Sequence, residues 1–74
     1  MTEGDAGAIA ELFSSLVGAI LADMRQSGLP RERMQKFVQL ISDTNEATAS
    51  DATLQDAVLH HLAIVAQIVP PKTG

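Results

Sequence analysis

The 74 residues are 46% hydrophobic and 19% charged, contain no Cys, Trp or Tyr, and carry a formal net charge of −4. A chain of this length holds one small domain that buries only about 60% of its unfolded surface, which excludes a two-domain enzyme. The missing Cys excludes disulfides, Cys-ligated zinc and thiol nucleophiles, and the acidic balance opposes long-range attraction to a phosphate backbone.

Met1-Thr2-Glu3-Gly4-Asp5 is acidic where an export signal would be basic. The longest apolar runs, Leu16–Ala22 and Leu62–Ala66, fall short of the roughly 20 residues of a bilayer span. A soluble, cytoplasmic protein is expected.

In chain order, Ile9, Leu12, Phe13, Leu16, Val17, Ile20, Leu21 and Met24 recur at three and four, predicting a first helix over residues 6–27. Asp5 is the expected N-cap, and Ser27-Gly28 followed by Pro30 supplies the stop. Ser14, Gly18 and Ala22, spaced by four, form either a groove for close helix approach or an Ala-rich back face. Met34, Phe37, Val38 and Ile41 mark a second helix over 30–43, with Pro30 in its first turn and Leu40 off the main stripe. Residues 44–50 are small and polar and read as a connection. Leu54, Val58, Leu62, Val65, Ile68 and Val69 mark a third helix over 51–69, started by Ser50 or by Thr53 with Asp56 and stopped by Pro70-Pro71. Residues 70–74 are expected to fray.

The expected fold is therefore all-α, a three-helix domain over 1–74. Its first and third helices are apolar over more surface than two neighbours can cover, so assembly as a homodimeric helical bundle is expected.

No constellation of catalytic residues emerges. His60 and His61 are adjacent on a helix and point about 100° apart, so they cannot converge on one metal ion within a chain. His61 falls in the apolar stripe, where its charge would make assembly sensitive to pH between about 5 and 8. No Ser lies in a nucleophile elbow, no Gly-rich loop follows a strand, and the acids do not form a calcium loop. No enzyme, metal or cofactor is expected. Four of the five cations lie between Arg25 and Lys36. Arg31, Arg33 and Lys36 open the second helix after a short turn, which admits a dimeric helix-turn-helix DNA-binding reading, although a patch steering a protein partner fits the acidic total better.

The segment Leu54-Gln55-Asp56-Ala57-Val58-Leu59-His60-His61-Leu62-Ala63-Ile64-Val65-Ala66-Gln67-Ile68-Val69-Pro70 resembles the terminal helix of the TraM-type quorum-sensing antiactivators. Those proteins end in a long helix with a His, an aliphatic run and a Pro. The resemblance implies a helical bacterial protein that, like TraM-type and QseM-like antiactivators, binds a LuxR-type transcription activator and blocks its DNA binding. The expected partner-binding residues are Phe13, Leu16 and Ile20 of the first helix, Arg31, Arg33 and Lys36 of the second, and Leu59, Leu62, Ile64, Val65 and Ile68 of the third. A structural or chaperone-like helical subunit would use the same surface.

Overall fold

The computed structural model describes residues 1–72. Three helices, α1 (Glu3–Gln26), α2 (Arg31–Thr48) and α3 (Ala52–Val65), are followed by a 3-10 turn, Ala66–Ile68, with no strand among the described residues. They run up, down and up in a rod of 41 × 20 × 18 Å.

Each helix starts or stops where a local group satisfies its free backbone ends. Thr2, not Asp5, caps α1: its hydroxyl accepts the Asp5 amide at 3.2 Å, which leaves Glu3 and Asp5 in the first turn, beside the positive end of the helix dipole. At the other end Gly28 adopts φ +76°, the Leu29 amide donates to Met24 O and the Gly28 amide to Arg25 O, each at 3.1 Å. This Schellman closure requires the left-handed residue that glycine supplies.

α2 continues to Thr48, so most of the expected connection is helical. The hydroxyls of Thr44 and Thr48 donate back to Leu40 O at 2.8 Å and Thr44 O at 2.7 Å, which keeps these polar residues compatible with a helix. Asn45 Nδ2 donates to Gln55 O at 3.3 Å and ties this last turn to α3. Asp51, neither Ser50 nor Thr53, caps α3, because its Oδ1 accepts two amides, Thr53 at 2.8 Å and Leu54 at 3.2 Å. α3 ends at Val65, short of the expected 69. The chain beyond it is pinned up to Pro70, whose carbonyl accepts Arg31 Nε at 2.9 Å, while Ile68 O accepts Arg25 Nη1 at 3.1 Å. Pro70 is therefore held where fraying was expected; Thr73 and Gly74 lie outside the described residues.

The core consists of Ala6, Ala10, Val17, Leu21, Met34, Val58 and Leu62. Ala6, Ala10, Ser14 and Gly18 follow one another at intervals of four along α1, a row of small buried residues on which α3 lies. A methyl group on Gly18 would stand 3.4 Å from Val65 Cγ1, so the side chains of α3 and the following turn lie directly over this residue. The sequence locates two members of this row; its third expected member, Ala22, is exposed.

Candidate protein-docking face

α1 is apolar on two faces. Besides the face turned to α3, Ile9, Leu12, Phe13, Leu16 and Ile20 form a second row at intervals of three and four, and all five are exposed, Leu12 to 67% and Leu16 to 59%. Leu40 of α2, 63% exposed, stands beside this ridge, and a depression of about 330 Å³ lined by Phe13, Leu40, Ile41, Thr44, Asn45 and Thr48 lies between the two helices. The fractional exposures of the six large side chains amount to on the order of 600 Å² of surface, the top of the range for the largest apolar patch of an ordinary monomer.

Of the expected partner-binding residues, Phe13, Leu16 and Ile20 sit together on this ridge. The α3 residues do not join them. Leu62 is 3% exposed in the chain's own core, and Val65 and Ile68 are half-buried, with Gly18 beneath them. Leu59 and Ile64 are exposed, but five helical residues apart they point about 140° from one another and form no common face. Packing of α3 on the small row of α1 takes Leu62 out of reach of a partner and partly covers Val65 and Ile68, while Leu59 and Ile64 stay exposed. The basic cluster also divides. Arg31 turns to Pro70 O and to Gln35 Oε1 at 2.8 Å, whereas Arg33 and Lys36 border Met24, Phe37 and Leu40. Ile9, Leu12 and Leu40 are the members of the face that sequence reasoning missed; the off-stripe position of Leu40 is the signal that pointed to it.

Charge is polarised along the rod. Glu3, Asp5, Asp51 and Asp56 gather at the end where α1 and α3 begin, with the Met1 amino group 3.3 Å from Asp51. Arg25, Arg31, Arg33 and Lys36 gather at the opposite end, against Asp23 and Glu32. The Leu54 amide, with the amino group and the Thr53 amide, holds the Asp51 carboxyl below its ordinary range. Along α1 itself, Asp5 and Asp23 are five turns apart on one side, which places a carboxylate at each end of the ridge.

His60 and His61 border a depression with Glu3, Ala6 and Asp56, away from the ridge. Their rings meet edge to face at 5.6 Å, and His61 Nδ1 lies 2.8 Å from Ala57 O, as its donor. Among the described residues, no three His, Asp or Glu side chains converge to hold a metal ion. By length and composition α1 is also long and apolar enough to cross a membrane, with mean hydropathy 1.5 over its most apolar window, of which 28% is buried; a core helix or a signal sequence passes the same test. No protein-family model, curated protein or solved structure gives a significant match to the chain.

Proposed function

We propose that this protein is a small protein-binding regulator that docks through the α1 ridge, and that its partner is a bacterial transcription activator of the LuxR type, kept from DNA by occlusion. The observation that carries the reading is the exposed row Ile9, Leu12, Phe13, Leu16 and Ile20 with Leu40 beside it, a helix face of the kind that seats in or receives a partner's apolar groove. The likeness of Leu54–Pro70 to the last helix of TraM-type antiactivators supports the choice of partner. Arg33 and Lys36, next to the ridge, would speed encounter with an acidic partner surface more than they would strengthen the complex. The same ridge is the surface on which two copies would assemble as a homodimeric helical bundle.

Two other readings have less support. A helix-turn-helix reader needs its cations on one exposed face, whereas Arg31 is engaged with Pro70 and Arg33 lies on another side of α2. A membrane-surface helix is rich in Lys and Arg, whereas α1 carries Glu3, Asp5, Glu11 and Asp23 against Arg25 alone. The test is displacement: a LuxR-type activator bound to labelled operator DNA is titrated with the protein. Release of DNA by the native chain and its loss in Leu16→Glu, with helical circular dichroism unchanged, is the expected result. Equal release by both chains, or none by either, contradicts the proposal.

A further inference from the structure

We propose that two copies of this chain pack antiparallel along α1, about a twofold axis passing between Phe13 and Leu16, so that the dimer itself covers the ridge. The inference rests on the ridge being a docking face and specifies its occupant in the absence of another partner. Three observations lead to it. First, the ridge reads nearly the same in both directions: Ile9 and Ile20 lie at equal distances from its midpoint, as do Phe13 and Leu16. A twofold interface is self-complementary, so in the antiparallel register Ile9 meets the other Ile20 and Phe13 meets the other Leu16, each contact made twice. Second, on the order of 600 Å² of exposed apolar side chain per copy, enlarged by its polar rim, approaches the roughly 800 Å² per partner of a stable complex. Third, the charge polarity of the whole rod favours one orientation, even though Arg25 and Arg31 themselves are turned to Ile68 O and Pro70 O on the α3 side. Side by side in the same direction, two copies would place the Glu3, Asp5, Asp51 and Asp56 end against itself and the Arg25, Arg31, Arg33 and Lys36 end against itself. Head to tail, each acidic end lies against a basic one.

One local pairing is unfavourable in both orientations and supplies the test. In the antiparallel register Asp5 of one copy comes level with Asp23 of the other; in the parallel one each faces its own counterpart. Asp23→Lys is exposed in the last turn of α1, where a cation suits the helix dipole, so the substitution leaves the fold intact. It converts two repulsions into two attractions only if the helices run in opposite directions. A consequence for function is that a second copy and an activator compete for one surface, so the chain meets its partner as the dissociated monomer.

Sedimentation equilibrium over a concentration series, with the native chain, Leu16→Glu and Asp23→Lys, decides the matter. Expected are a native dimer of twice 7.8 kDa, a dissociation constant raised at least ~30-fold by Leu16→Glu, and one lowered several-fold by Asp23→Lys. A native chain that stays monomeric throughout overturns the proposal, as does a dimer indifferent to Leu16→Glu. A dimer that Leu16→Glu breaks but Asp23→Lys fails to tighten overturns the antiparallel orientation. These outcomes are separable from the docking reading: a permanent monomer that still strips DNA from the activator defeats the dimer alone, and a dimer with all three responses that leaves the activator on its DNA supports the dimer and defeats the choice of partner.

Discussion

Leu62 and Leu16 are the same residue type on helical stripes of similar appearance, yet one is 3% and the other 59% exposed. Their substitutions should separate cleanly. Leu62→Ala removes a packed side chain from between α1 and α3 and is expected to cost about 2–5 kcal/mol in chemical denaturation, whereas Leu16→Ala should change the stability of the dissociated monomer, measured at high dilution, by less than about 0.5 kcal/mol. Leu62→Asp would unfold the chain, so it cannot report on partner binding. Asp51 makes a prediction of a different kind. Its folded carboxyl titrates below the unfolded one, so the stability it contributes is fully present above the ordinary carboxylate pKa of about 4 and is lost as pH falls through its lower folded value. A thermal melt series below pH 5 should show that loss, and Asp51→Asn, which still offers an oxygen to the Thr53 and Leu54 amides, should flatten its pH dependence.

Among the elements, α1 combines two roles that normally fall to different helices. Its small row, Ala6, Ala10, Ser14 and Gly18, brings α3 close, and its large row faces outward. Glycine in this helix is not all of one kind. Gly7 would place an added methyl in open space, so Gly7→Ala should stabilise by about 0.5–1 kcal/mol through helix propensity alone. Gly18→Leu should destabilise, because Val65 and Ile68 already occupy the space above it. Parallel denaturation curves of the two variants check the opposite signs. Helix number and order were legible in the sequence because the three- and four-residue spacing is strong in each segment. The extension of α2 through Thr48 was not, since hydroxyls that bond back to Leu40 O and Thr44 O look, as a string of letters, like a loop. The choice of Asp51 as cap was hidden for a related reason: Ser50, Asp51 and Thr53 are all capping residue types, and only the geometry selects the oxygen that reaches two amides.

At the scale of the whole molecule, the surplus of apolar surface was legible but its location was only half so. Periodicity shows that α1 and α3 are apolar around much of their circumference; it does not say which stripe a neighbour covers. α3 is enclosed by α1 and α2, leaving Leu59 and Ile64 as isolated exposed residues, and the surplus is collected on α1 beside Leu40. Charge polarity along the 41 Å rod was likewise hidden, because Asp51 and Asp56 join Glu3 and Asp5 only once α3 runs parallel to α1. Association driven by that polarity should weaken as salt rises, while its apolar part persists, so moderate salt is expected to loosen the dimer without abolishing it.

The central claim is that this molecule meets other proteins through the outward face of α1. Amide NMR spectra of the native chain recorded over a dilution series test it residue by residue. The account predicts concentration-dependent shifts at Ile9, Leu12, Phe13, Leu16, Ile20 and Leu40, with Leu59 and Ile64 unmoved. Shifts centred on Leu59 and Ile64 would contradict it, and spectra unchanged across the series would defeat the dimer.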